Sequence, residues 1–97
     1  MRGNLLVDIE QIDWTWQPGV VTLSFNTKSG VVRLVEKVPV LFERDEDVKL
    51  GKAFLLECEI VAEDGDYYQI DTSIPYYIED NDGNCVFLVQ KKDVIVL

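Results

Sequence analysis

Short runs in which apolar and polar residues alternate recur along the whole chain, and turn signals separate them. In the run 20–27, Val21, Leu23 and Phe25 alternate with threonine, serine and asparagine. A period of two places successive side chains on opposite faces, as in a half-buried β-strand. No stretch of the chain is a good candidate for an amphipathic helix. The pattern therefore predicts an all-β fold.

The number of these runs predicts one small antiparallel barrel or sandwich of about seven or eight short strands. The predicted strands span 5–12, 20–27, 31–38, 52–62, 67–72, 76–79, 85–89 and 94–97. The segment 40–42 is expected to continue the third strand after a bend at Pro39, which cannot donate a ladder hydrogen bond. The segment 43–50 mixes charges and has weak strand preference, so we predict a loop there with at most one short helical turn.

Turn residues indicate mainly hairpin connections. Lys28-Ser29-Gly30, Asp64-Gly65 and Asp82-Gly83 each have the composition of a tight turn, in which glycine supplies a positive φ. The segment 85–89 is apolar on both faces, which predicts a central, covered strand. The apolar segment 94–97 is expected to pair inside the sheet, next to an early strand, because an exposed apolar edge promotes aggregation.

Length and hydropathy predict a single domain over residues 1–97. No apolar run approaches the roughly 20 residues of a membrane-spanning helix, and Asp8 interrupts the start of the chain too early for a signal peptide. These features lead us to expect a cytoplasmic protein. We expect Cys58 and Cys85 to be reduced, buried small hydrophobic residues, with a disulfide between neighbouring strands as the alternative.

Charge is distributed unevenly along the sequence. The segment 53–90 contains nine acids and no lysine or arginine, whereas the rest of the chain holds nine acids and nine bases, so the formal charge of −9 comes from this one segment. All four tyrosines fall inside it. Such a surface repels nucleic-acid phosphates and anionic membranes and attracts basic proteins. We therefore predict no direct nucleic-acid or membrane binding.

The sequence offers little chemistry for catalysis. Histidine is absent, which removes histidine acid–base catalysis, histidine-activated nucleophiles and histidine metal sites. The motif Asp80-x-Asp82-Gly83-Asn84 resembles a calcium loop, but an EF-hand needs glycine at its sixth position and glutamate at its twelfth, where this chain has Lys91. We predict that the protein is not an enzyme and that it has no catalytic residue, cofactor or metal.

Two acidic turns are expected to form a binding surface. In a meander of the predicted strands, the turns at 63–66 and 80–84 lie at the same end of the sheet. In each pair of tyrosines, one ring should point inward and the other outward. The predicted partner-binding residues are Asp64, Asp66, Tyr67, Asp71, Tyr76, Glu79, Asp80 and Asp82.

The leading hypothesis is an inhibitor or immunity-type protein that neutralises one basic protein, such as a toxin nuclease. In its size, its charge and its lack of catalytic residues, the chain resembles bacterial immunity proteins. One alternative is a nucleic-acid mimic whose carboxylates imitate phosphates and inhibit several nucleic-acid enzymes. Another is an SH3-like or OB-like structural module that assembles with other proteins or as a homo-oligomer. Its contact would be either the apolar strand 94–97 or the pair Trp14 and Trp16. Those tryptophans either plug one end of a barrel or form a contact pair at its rim.

Overall fold

One curled antiparallel sheet of seven strands makes up the structure, a computed structural model that describes all residues from 1 to 97. The strands are β1 (Arg2–Asp13), β2 (Val20–Thr27), β3 (Gly30–Lys37), β4 (Ala53–Asp64), β5 (Tyr67–Asp71), β6 (Val86–Gln90) and β7 (Val94–Val96). One helical turn, α1 (Val38–Leu41), and two 3-10 turns, Asp45–Asp47 and Lys91–Asp93, complete the regular structure. The prediction of an all-β antiparallel fold is confirmed, and the sheet forms a half-barrel.

Strand β1 lies at the centre because both of its edges are paired. β4 pairs with residues Arg2 to Asp8 along one edge. Along the other edge, β2 pairs with the second half of β1 and β7 pairs with Gly3 to Leu5. The predicted pairing of the last strand with an early strand is therefore confirmed.

The half-barrel has an open seam. The strands run in the order β3-β2-β1-β4-β5-β6, so β3 and β6 end the sheet and do not pair with each other. Bulges in β1 and β4 add to the twist that curls the sheet. The curl brings the β2–β3 hairpin against β6, where the Lys28 amide donates to the Leu88 carbonyl over 2.9 Å. The rings of Phe25 and Phe87 meet edge to face with centroids 5.4 Å apart.

The core fills the concave side of the sheet. Alternate side chains of every long strand point inward, as the period of two predicts. The buried apolar residues are Leu5, Val7, Ile9, Val21, Leu23, Phe25, Leu34, Val38, Val48, Leu56, Cys58, Ile60, Ile70, Ile78, Phe87, Val89 and Val94. Most of them come from strands, but Ile78 comes from the long loop between β5 and β6, so this loop is anchored in the core.

Three strand predictions are wrong. The segment 40–42 is not a strand, because Pro39 lies in the first turn of α1, where its fixed φ suits a helix and its missing N–H costs nothing. The segment 76–79 belongs to the loop between β5 and β6. Finally, 85–89 is not a central strand, since β6 ends the sheet and Val86 is 47% exposed on its outer face. The predicted helical turn near 43–50 is present as the 3-10 turn Asp45–Asp47.

Both cysteines are free thiols. Cys58 is fully buried in β4, as predicted, whereas Cys85 is only half-buried at the end of the β5–β6 loop. Burial and the neighbouring Glu57 and Glu59 raise the pKa of the Cys58 thiol to about 11.

No helix of the structure is both long and apolar enough to cross a bilayer.

Candidate functional site

The two acidic turns lie at opposite ends of β5. The 63–66 turn joins β4 to the start of β5, and the loop 72–85 leaves its other end. Five strand residues at ~3.3 Å each separate them by roughly 15 Å. The expectation that both turns share one end is therefore wrong. It assumed an extra strand at 76–79, and removing one strand from a meander moves the following turn to the opposite end.

The first turn has the predicted hairpin geometry. Gly65 has a φ of 59°, and Asp64 pairs directly with Tyr67 across the hairpin. β5 pairs with β6 so that Tyr67 lies opposite Gln90, and the Lys91 amide donates to the Asp66 carbonyl over 2.9 Å. The start of the 3-10 turn 91–93 is thus held against the acidic turn.

Two lysines from outside the acidic segment lie at this end. Lys91 Nζ lies 3.1 Å from Glu63 Oε2 and 5.2 Å from the centre of the Tyr68 ring. Lys28 Nζ, from the β2–β3 hairpin, lies 5.3 Å from the centre of the Tyr67 ring. Both rings are half-buried, and each has a cation over its face. This end of the molecule therefore does not present the purely negative, tyrosine-bearing surface that the sequence predicted.

Two further acids of the segment 53–90 are also paired. Arg2 contacts Glu57 at 2.6 Å and Glu59 at 3.1 Å across the β1–β4 ladder. The segment lacks bases of its own, but the fold supplies them from neighbouring strands. Of the acids in this segment that form no ion pair, Asp64 and Asp66 lie in the hairpin turn, and Asp71, Glu79, Asp80 and Asp82 lie at the other end of β5.

The loop 72–85, which we call the acidic loop, is held by a buried threonine at its base. Thr72 is 1% exposed, and its hydroxyl donates to the Ile78 carbonyl at 2.6 Å and lies 3.2 Å from the Cys85 carbonyl. The Thr72 amide also donates to the Cys85 carbonyl at 2.8 Å, which closes the loop. With Ile78 buried, these bonds fix the loop to the core.

Two carboxylates brace turns of the loop through hydrogen bonds. Asp71 Oδ1 accepts hydrogen bonds from the Ser73 hydroxyl at 2.6 Å and the Ser73 amide at 2.9 Å, which lower the pKa of Asp71. Asp80 Oδ1 accepts from the amides of Asn84 at 2.8 Å and Asp82 at 2.9 Å, and these bonds lower the pKa of Asp80. Both acids therefore brace turns of the loop, and their predicted role as contact residues stays a prediction.

Tyr77 is the most prominent side chain of the acidic loop. It is 76% exposed and has a φ of 55°, the only positive φ of a residue other than glycine. Its amide donates to the Ser73 carbonyl at 2.9 Å, and the next amide, of Ile78, donates to the Thr72 carbonyl at 3.1 Å. Tyr76, the predicted contact, is instead half-buried and packs against the core. One ring of this pair does point inward and the other outward, but the sequence could not say which.

The acidic loop, which carries Tyr77, is negatively charged and contains no base. Glu79, Asp80 and Asp82 lie in the same 14 residues, which contain no lysine or arginine. The nearby cation is Arg33 of β3, which lines a groove with Asp80 and Asp82. Arg33 is already engaged by Glu10, whose two carboxylate oxygens lie 2.9 and 3.0 Å from its Nε. Glu79 and Asp82 form no ion pair within the protein, so their charges face solvent.

The tryptophans lie in the loop between β1 and β2. The ring of Trp14 packs directly over the backbone of Gly19 and remains 41% exposed, whereas Trp16 is 76% exposed. Neither ring belongs to the buried core. Of the two expectations, the plug is therefore wrong for Trp16, and its role as a contact residue stays a prediction.

No group of three or more histidine, cysteine, aspartate or glutamate side chains is placed to hold an ion. The Asp80 carboxylate in the calcium-like motif accepts hydrogen bonds from backbone amides of its own turn.

Comparison with known proteins yielded no matching family model, no matching curated protein and no matching solved structure.

Proposed function

We propose that the protein is a non-enzymatic, inhibitor or immunity-type protein that binds one basic protein, such as a toxin nuclease, through the acidic loop. The observation that supports this most is the exposed ring of Tyr77 on a backbone with a positive φ. A left-handed conformation costs a residue with a Cβ about 1–2 kcal/mol. Strain of this kind persists only where the surrounding structure imposes it, and it clusters at functional sites.

The loop is also preorganised, which favours binding. Hydrogen bonds at its base and in its two turns hold the backbone before any partner arrives. A partner therefore pays little ordering entropy when it binds. Tyrosine gives a large contact area at a low entropic cost, and the exposed carboxylates of Glu79 and Asp82 in the same loop suit lysine and arginine side chains. The roles of Asp64, Asp66 and Tyr67 as contacts stay predictions, at the other end of β5.

The proposal is tested by capturing partners from an extract of the native host on the immobilised protein. We expect one basic protein to be retained at about 0.15 M salt and released as the salt rises, because exposed charge pairs are screened. The variant Tyr77→Ala and the double variant Glu79→Lys/Asp82→Lys should each weaken retention at least about tenfold. Neither variant removes a side chain that braces the loop.

A matched control reverses the same charge elsewhere. Glu43 and Asp45 are exposed acids without ion pairs, the first lying two residues before the 3-10 turn Asp45–Asp47 and the second at its start. Glu43→Lys/Asp45→Lys therefore changes the net charge equally and should leave retention within about twofold. Equal losses in both double variants would show that only net charge matters. Retention of several nucleic-acid enzymes in place of one protein would support the nucleic-acid mimic instead.

A further inference from the structure

The open seam of the half-barrel forms a groove between the two end strands of the sheet. The first part of the groove has a volume of about 340 Å³ and lies between the β2–β3 hairpin and β6; a second part of about 270 Å³ continues along β3 beside the acidic loop. Its lining combines apolar side chains with acids, and the residues that carry the argument are Val32, Val86, Phe87, Leu88, Asp80 and Asp82.

One wall of this groove is an unpaired strand edge. β3 pairs with β2 alone along its eight residues. Just after β3, the Val38 amide donates to the Gly19 carbonyl. The Lys37 amide, at the end of β3, donates instead to the side chain of the preceding residue, Glu36, over 2.8 Å. Because the hydrogen-bonding direction alternates along a strand, Val31, Arg33 and Val35 direct their amides and carbonyls to the open edge, as Lys37 does.

The other wall suits a basic, partly apolar segment. Val86 and Leu88 are partly exposed on β6, and Phe87 lies at the floor next to Phe25. Asp80 and Asp82 lie beside the groove, and the one cation of its lining, Arg33, is held by Glu10. An incoming cation therefore meets carboxylates, and because neighbouring residues along a strand point to opposite faces, the apolar residues that flank the cation point to the other face of the incoming strand.

We propose that an extended segment of the partner, alternating apolar residues with lysine or arginine, adds to the free edge of β3 as a further strand and fills the seam. The inference rests on the proposed function, since it describes how the basic partner engages the protein beside the acidic loop. In this mode, main-chain hydrogen bonds supply affinity and alternate side chains supply specificity.

A second copy of the chain fits this edge poorly. In an antiparallel two-fold pairing of β3 with itself, opposite residues must point to the same face. In each register that overlaps most of the strand, Arg33 then lies opposite or diagonal to Arg33 or Lys37 of the other copy. Like charges at such positions destabilise strand pairing.

A synthetic peptide of about seven residues, alternating lysine and valine, tests the mode directly. Titrated into the ¹⁵N-labelled protein, it should bind saturably and shift the amide signals of β3 and β6. A matched peptide, N-methylated at alternate amides, keeps every charge and side chain but cannot form the ladder, so it should bind at least about tenfold more weakly. Equal binding of the two peptides, no binding, or shifts confined to the acidic loop would each overturn the proposal.

Protein variants separate this inference from the proposed function. Val31→Pro removes one edge amide at a position where an edge strand tolerates proline, and Val31→Thr keeps that amide as the control. We expect Val31→Pro to weaken partner capture and Val31→Thr to leave it unchanged. Circular dichroism should show that both variants are folded. If a basic partner is captured equally by both, the proposed function stands and the seam inference fails; if no basic partner is captured, the proposed function fails. A stable dimer by sedimentation with protected β3 amides would assign the edge to a second copy and overturn the inference.

Discussion

Replacing Thr72 by valine should loosen the acidic loop while leaving the sheet intact. The substitution keeps the shape of the side chain and removes a hydroxyl that is 1% exposed. That hydroxyl donates to the Ile78 carbonyl, which accepts no backbone hydrogen bond. The lost bond is worth about 0.5–1.5 kcal/mol, and a buried carbonyl without a partner costs about 1–3 kcal/mol. Both ranges describe the loss of the same contact, so they are not added together. We expect a loss of about 2 kcal/mol in the free energy of unfolding.

Urea unfolding followed by tryptophan fluorescence measures this loss. For a domain of this size, 2 kcal/mol corresponds to a fall of roughly 8–16 °C in Tm and of roughly 1–2 M in the urea midpoint. The slope of the transition should not change, since the folded sheet is the same. Amide exchange should accelerate first at Ile78 and Tyr77, whose bonds lie beside the threonine.

Thr22→Val is the matched control. Thr22 lies half-buried on β2, and its hydroxyl makes no hydrogen bond within the protein. Valine suits a strand, so this variant should stay within about 0.5 kcal/mol of the parent. A loss below about 0.5 kcal/mol for Thr72→Val, or equal losses in both variants, would refute the role of Thr72 as the anchor of the loop.

Three further outcomes follow from the contacts of other residues. The hydrogen bonds to Asp71 and Asp80 hold the pKa of each carboxyl below the ordinary 3.8. The stabilisation that these bonds give the loop is therefore present above pH 3.8 and is lost as the pH falls through the lowered pKa values. Carboxyl titration by NMR should show both midpoints below 3.8, and ordinary midpoints would contradict the bracing. Ellman's reagent should modify Cys85 in the folded protein, more slowly than a free thiol because burial and Asp71 raise the pKa of Cys85, and should modify Cys58 only on unfolding, because Cys58 is buried with its pKa raised to about 11; modification of both thiols in the folded protein would disprove that burial. Gly19→Ala should displace the tryptophan ring packed on it, shift the fluorescence emission and cost about 1–3 kcal/mol, whereas an unchanged spectrum would rule out the packing.

Local turn chemistry made part of the candidate site predictable. Asp64-Gly65 forms the expected hairpin, and the glycine at position 83 has the positive φ expected of a turn, at 81°. The identity of the exposed ring was less accessible. Tyr76 and Tyr77 are chemically equal in the sequence, and hydrogen bonds at the base of the loop decide which of them turns outward.

The charge pattern was misleading because ion pairing depends on neighbours in space. A segment without lysine or arginine predicted a uniformly negative pole. The folded sheet brings Lys28 and Lys91 to Tyr67 and Tyr68 and thereby places cations at one end of β5. A single wrong strand, at 76–79, was enough to place the second acidic turn at the wrong end.

The alternation of side chains and the turn residues alone determined that this chain is an antiparallel β protein, because both act over a few neighbouring residues. Tertiary structure decided the open seam between β3 and β6 and the distribution of charge between the two ends of β5. Each of these depends on contacts between residues far apart in sequence. The packing of the whole sheet, rather than any local preference, selects such contacts.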